Sequence, residues 1–261
     1  MHLIDTHCHL DVADFDVDRD RVLAQCRAQG VRDIVVPAID RAGWPTLLAL
    51  CARETMLHPA LGMHPVFMLR HRHADLAALE AALAAARPLA VGEIGLDFAQ
   101  ETDAAARERQ RDHCAAQLAI AAQAGLPVLL HVRKAHDTML GLLRRAGVPG
   151  GIAHAFNGSP EQARAYLDLG FKLGFGGMLT FRRSSKLRRL AAALPSAALV
   201  LETDAPDLTV ASHRYERNSP AYLPEVLMAL ADVRQADPAA VAAVTTANAR
   251  AVLALPAPAT A

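Results

Sequence analysis

The sequence predicts a single-domain α/β protein, a (β/α)8 TIM barrel, and three observations carry that expectation. Its 261 residues are the length of one such barrel and too few for a second complete domain. Eight short runs rich in Val, Ile and Leu recur about every 25 to 35 residues, and the Ala-, Leu- and Arg-rich stretches between them have helical periodicity. The first run leads into His-Cys-His, where an open doubly wound sheet would carry a glycine-rich phosphate turn.

Along the chain, the first strand is expected at 3–6, where Leu3 and Ile4 lead toward the histidines, and the first helix at 17–29. The second strand, 33–38, is built on Ile34-Val35-Val36 and is followed by a helix at 44–54. A third strand at 56–61 precedes a helix at 74–86, almost wholly Ala and Leu. The fourth, 89–93, ends on Gly92-Glu93 and feeds a long helix at 103–124. Strands at 128–131 and 151–154 each end in a histidine, with helices at 135–146 and 160–169. The seventh strand, 171–175, is followed by a helix at 184–193, and the eighth, 199–202, by two further helices. Residues 1–255 are read as the barrel domain and the Pro- and Ala-rich 256–261 as a frayed tail.

Composition narrows the function. A chain 52% hydrophobic and 21% charged is an ordinary globular protein, and no segment is apolar for the length of a bilayer crossing. The start of the chain lacks the pattern of a secretory signal, and a cytoplasmic location is expected. The four cysteines show no C-x-x-C pair, so a disulfide framework or thiolate zinc site is not indicated. Twenty-seven Lys and Arg balance 27 Asp and Glu, so any phosphate recognition must be local rather than a global field. Nothing in the sequence asks for an obligatory protein partner.

In Ile4-Asp5-Thr6-His7-Cys8-His9, alternation along an extended strand would put Asp5, His7 and His9 on one face. An H-x-H pair alone occurs by chance, and its meaning depends on partners. Those stand at the ends of other strands: Glu93, His131, His154 and Asp204. The loops after parallel barrel strands open at one face, so six ligand-type side chains converge at one mouth. Four imidazoles and two carboxylates are costly to desolvate together unless a divalent cation pairs with them. One ion is satisfied by four protein ligands, so six suggest two ions and a bridging carboxylate, Glu93 or Asp204. Imidazole and carboxylate donors suit Zn²⁺, Mn²⁺ or Co²⁺, and Mg²⁺ less well.

These motifs, with Gly62-Met63-His64-Pro65, Gly92-Glu93-Ile94-Gly95-Leu96-Asp97, His154-Ala155-Phe156 and Glu202-Thr203-Asp204-Ala205-Pro206, resemble the TatD-type deoxyribonucleases, amidohydrolase-like barrels, over nearly the whole chain. The resemblance implies that His7, His9, Glu93 and Asp204 serve one metal and Glu93, His131 and His154 the other. It also implies hydrolysis of nucleic-acid phosphodiesters, typically from a 3′ end, with nucleic-acid ends as the substrate. Three loop positions depart from the family pattern: Ala99 after Phe98, Asn157, and Ser219.

Chemistry assigns roles to the neighbours. Asp204 is the expected base for the attacking water and Glu93 the bridge. Arg133, two residues past His131, could grip a phosphate through its planar fork, and His64 could donate to a phosphate oxygen. Asp5 could hold a ligand imidazole in its tautomer. The basic run from Arg182 and Arg183 through Lys186 to Arg188 and Arg189 reads first as a solvated helix face, with Arg182 or Arg183 as candidate phosphate contacts. His58, His71, His73, His113, His136 and His213 are expected at the surface. Two rival functions share the site: a barrel hydrolase of a small amide, lactone or ester, and a non-catalytic metal-binding protein.

Overall fold

The computed structural model describes residues 1–255; the tail at 256–261 lies outside the described residues. Eight parallel strands pair in chain order: β1 (Leu3–Asp5), β2 (Val31–Pro37), β3 (Leu57–Leu61), β4 (Ala90–Asp97), β5 (Val128–Arg133), β6 (Gly151–Ala153), β7 (Phe171–Phe175) and β8 (Leu199–Leu201). The seam between β8 and β1 is closed by backbone bonds, Thr6 N–H donating to Leu201 O at 3.0 Å and Asp204 N–H to His7 O at 2.8 Å. The TIM barrel read from the sequence is the fold observed.

The helices are α1 (Arg19–Ala28), α2 (Trp44–Arg53), α3 (Ala74–Ala86), α4 (Ala104–Ala124), α5 (His136–Ala146), α6 (Pro160–Asp168), α7 (Ser185–Ala193), α8 (Leu223–Arg234) and α9 (Pro238–Leu253). Their ends are set by local chemistry. Asp103 accepts from Ala106 N–H to start α4, and Gly125, left-handed at φ 65°, ends it. Ser159 and Gln162 satisfy each other's backbone N–H groups in a capping box that starts α6. Among the described residues no helix is long and apolar enough to cross a membrane.

Two apolar layers hold the barrel. Between strands and helices lies the large one, including Leu3, Val36, Leu61, Val91, Leu130 and Leu173. Inside the barrel, Ile4, Val35, Ala60, Ala90, Leu129, Ile152 and Val200 form a layer closed from below by Ala249 and Leu253 of α9 and by Leu255. Burying this layer removes apolar surface from water at about 25 cal/mol per Å². It also makes the floor on which the polar residues of the mouth stand.

The structure departs from the expected elements where the mouth is built. β4 runs on to Asp97 and β5 to Arg133, because Leu96 pairs with Val132 and Asp97 with Arg133. β1 stops at Asp5, and the next amides bond elsewhere, Cys8 to Val35 O and His9 to Ala205 O. Of the six histidines expected at the surface, His73 alone is exposed. His136 is buried between Tyr166 Oη at 3.2 Å and Asn157 Oδ1 at 3.3 Å, His58 rests on Asp33 at 2.8 Å, and His113 stacks on His71. Their partners lie on other elements or elsewhere along their own helix, which the sequence periodicity does not reveal.

The long loop after β8 is fastened by Arg217, whose two terminal nitrogens donate to Asp18 at 2.8 Å each while the guanidinium lies 4.4 Å from the Phe15 ring centroid. The hydrogen bonds from Arg217 hold the Asp18 carboxyl below its ordinary 3.8. A depressed carboxyl stabilises the fold above its unfolded pKa and loses that contribution as pH falls. Arg217→Ala is therefore expected to cost about 1–2 kcal/mol at pH 7. Thermal melts of both proteins should converge as pH drops below 3.8; a gap of constant size would exclude the ion pair as its source.

Candidate metal centre

Alternation carries the barrel layer up into the mouth on three strands. Two residues beyond Leu129, Ile152 and Val200 stand His131, His154 and Glu202. On β4 the alternation is interrupted: Val91 pairs with Val128 but Ile94 with Leu130, so the strand carries one extra residue. This irregularity delivers Glu93 to the mouth, with its N–H bonded to Ala38 O at 3.1 Å. A glycine is required before it, since a Cβ on Gly92 would lie 2.6 Å from Leu129 Cβ.

Glu93 is the hub. Its Oε2 faces His7 Nε2 at 3.0 Å and His9 Nε2 at 3.3 Å; its Oε1 faces His154 Nε2 at 3.0 Å, His131 Nδ1 at 3.1 Å and His64 Nε2 at 3.3 Å. Asp204 Oδ1 completes the first group, 3.7 Å from His7 Nε2 and 3.8 Å from His9 Nε2. The six residues proposed as ligands are thus brought together. His64 stands closer to them than a substrate contact alone would require. Its Nδ1 accepts from Val66 N–H at 3.1 Å, so in the neutral ring Nε2 carries the hydrogen and faces the centre as a donor rather than a ligand lone pair.

Electrostatics supports a cation here. Burial alone would raise the Glu93 carboxyl, yet the surrounding imidazoles hold it well below its ordinary 4.5. Burial would likewise lower His9 and His154, but Glu93 and Asp204 push them up to about 9 and about 10. His7, buried and stacked on His154 with centroids 4.0 Å apart, is pushed down to about 3 by burial and then by His154. A site that otherwise gathers protons on its imidazoles can release them to a divalent ion, and the donor set of imidazole nitrogens and carboxylate oxygens fits one.

Three supporting residues were not singled out from the sequence. Asp97, buried, accepts from His131 Nε2 at 3.0 Å, which turns the Nδ1 lone pair toward Glu93. Glu202, fully buried and pushed up to about 8 by burial, accepts from Ala155 N–H at 2.5 Å and lies 3.8 Å from His154 Nδ1. Asn218 donates to Thr203 O and Asp207 O, pinning the turn in which Asp204 sits at φ 58°. The continuation of β4 and the alternation from Val200 are the signals that would have found the first two.

Asp5 corrects an expectation. Ile4, not Asp5, enters the barrel interior, and the Asp5 oxygens take His7 N–H at 3.2 Å, Thr203 N–H at 3.0 Å and Thr203 Oγ1–H at 2.5 Å. It fastens the β1 and β8 ends together rather than orienting an imidazole; His7 Nδ1 has no hydrogen-bond partner among the described residues.

Beside the centre lies a cleft of about 730 Å³, lined by the buried or half-buried His131, His154 and Asp204 and by the exposed Arg183 and Lys186. Arg133, 55% exposed, also lines it, with Nη1 4.0 Å from Asp97. Arg182 is exposed and outside the cleft, because the turn before α7 sends only one of the two neighbouring arginines inward. Arg188, on α7, is half-buried rather than on the solvated helix face expected of it, tied to Asp232 at 2.7 Å and to Leu179 O.

Three comparisons bear on this architecture. Residues 4–254 match the family model described as TatD related DNase. A protein of Escherichia coli (strain K12) named uncharacterized metal-dependent hydrolase YjjV is 39% identical over 235 residues, 89% of this chain and 90% of that one. Its crystal structure, described as a TatD homolog, superposes with a TM-score of 0.92 at 36% identity, covering 97% of this chain and 98% of that chain. A Salmonella typhimurium (strain LT2) protein named 3'-5' ssDNA/RNA exonuclease TatD is 35% identical over 256 residues, 95% of this chain and 97% of that one.

The Asp97 contact gives a test. Asp97→Asn is expected to weaken divalent-ion binding at this centre about 10- to 100-fold, the usual cost of losing a hydrogen bond to a ligand imidazole. Calorimetric titration with Zn²⁺ measures it, and an unchanged isotherm would remove Asp97 from the centre.

Proposed function

Since this chain belongs to the TatD-related DNase family and is a metal-dependent hydrolase, we propose that it hydrolyses nucleic-acid phosphodiesters with two divalent ions, acting 3′ to 5′ on single-stranded or frayed ends of DNA or RNA. The observation that supports this most is the division of the donors around Glu93, one group on each carboxylate oxygen, beside a cleft lined by Arg133, Arg183 and Lys186. The name of the Salmonella relative agrees with that substrate. Cations around a cleft suit a polyanion and have no task on a neutral amide, lactone or ester.

Under this reading His7, His9, Glu93 and Asp204 would hold one ion and His131 and His154 a second that shares Glu93; Zn²⁺, Mn²⁺, Co²⁺ and Mg²⁺ are the candidates. Bound ions supply Lewis acidity toward the phosphoryl oxygens and lower the pKa of water. The side chains do the rest. Asp204, in the turn after β8, lies beside His7 and His9 and also lines the cleft, so it would reach both an ion held there and a water beside it, which suits it to act as the base. Its remaining 15% exposure gives it access to the cleft, and it takes the proton of the attacking water. His64 donates from Nε2 to a phosphate oxygen, and Arg133 grips the same phosphate from the rim.

Hydrolysis of end-labelled single-stranded DNA and RNA, compared with an amide and lactone panel across the four metals, tests the reading. Shortening from the 3′ end supports it; turnover confined to the amide or lactone substrates overturns it. Asp204→Asn should lower kcat at least about 10²-fold, with the fold intact by circular dichroism. Undiminished turnover with metal bound would leave Asp204 a ligand only.

A further inference from the structure

The outer half of the cleft is unused by the chemistry just described, and its residues are of two kinds. One wall is cationic: Arg183 and Lys186 both line it, and neither has a carboxylate partner among the described residues. This is unlike the neighbouring Arg188, which is bound to Asp232. The Arg183 guanidinium is steadied over the Phe181 ring at 5.4 Å. Both cations precede or open α7, whose first turn carries no acidic side chain to compete for them and whose amides face an anion favourably.

The other kind is apolar. Met178 and Leu208, 36% and 40% exposed, project from the loops after β7 and β8 along the same cleft, with Phe156 beneath. Exposed large apolar side chains beside unpaired cations mark a surface built for a ligand with a flat apolar part and a negative charge. The cleft is continuous with His131, His154 and Asp204, so such a ligand would be joined to the reacting phosphate.

Resting on the phosphodiesterase reading, we infer that this outer half is a subsite for the neighbouring nucleotide of the strand. Lys186 and Arg183 hold the phosphate next to the scissile one, and the exposed Met178 and Leu208 receive its base. The enzyme therefore measures two phosphates, and substrates that offer only one are bound poorly.

Three thymidine substrates test this with the metal-loaded protein: d(TpT), which has only the scissile phosphate, and d(pTpT) and d(TpTpT), which have one more. At least one of the longer pair should show a KM roughly tenfold lower, the gain of a charge-assisted hydrogen bond. Lys186→Ala and Arg183→Ala should each lose that gain, while Arg189→Ala, exposed on α7 but outside the cleft, keeps it. A binding measurement separates the two ideas. For a hexathymidylate with phosphorothioate linkages, the logarithmic salt slope from fluorescence anisotropy should fall by about 0.7 in Lys186→Ala. If no phosphodiester is cleaved yet the slope still falls, the function fails and the anion site stands. If the substrates are cleaved but gain and slope are both indifferent to Lys186 and Arg183, the subsite is overturned.

Discussion

Glu93 is 1% exposed and still carries its charge, because five imidazole nitrogens lie within 3.3 Å of its two oxygens. An ionised carboxylate in that position would otherwise cost several kcal/mol of desolvation. The histidines come from β5 and from the chain after β1, β3 and β6, so the charge can be satisfied only when the barrel is closed and in register. The seam between β8 and β1 accordingly has its own fastening. Asp5 bonds the backbone of His7 and Thr203, and Asp204 N–H bonds His7 O, which sets the two ends of the ligand cluster against each other.

The same constraint explains the irregularities of the mouth. A regular β4 would turn either Gly92 or Ile94 inward at Glu93's height; the extra residue between Val91 and Ile94 allows Glu93 to reach the axis without disturbing the Ala90 layer below. The turn after β8 is held by buried Asn218 so that Asp204 can approach His7 and His9 from a left-handed backbone. Apolar packing builds the tube, and polar bonds to backbone position its reactive rim.

Much of this is legible from the residues. The eight apolar runs give the barrel, and residues of ligand type at the ends of five of them give the centre. Period-two alternation from Leu129, Ile152 and Val200 reaches His131, His154 and Glu202, so those positions follow from strand geometry. Asp5 does not, because β1 ends there and alternation no longer predicts its neighbours. The extra residue in β4 and the partner of His131 depend on contacts between strands distant in sequence, and the tautomer of His64 is set by Val66 N–H in a turn that strand periodicity does not describe. No local pattern encodes which of Arg182 and Arg183 faces the cleft; that follows from the turn before α7.

The central claim is that one carboxylate serves both halves of the centre, and metal stoichiometry tests it most directly. Equilibrium dialysis against Zn²⁺, followed by elemental analysis, should give about two ions per chain for the native protein. His154→Ala should lose chiefly one of them, and Glu93→Ala should weaken both. A Glu93→Ala protein that keeps one ion at undiminished affinity would contradict the account, because Glu93 would then belong to only one half.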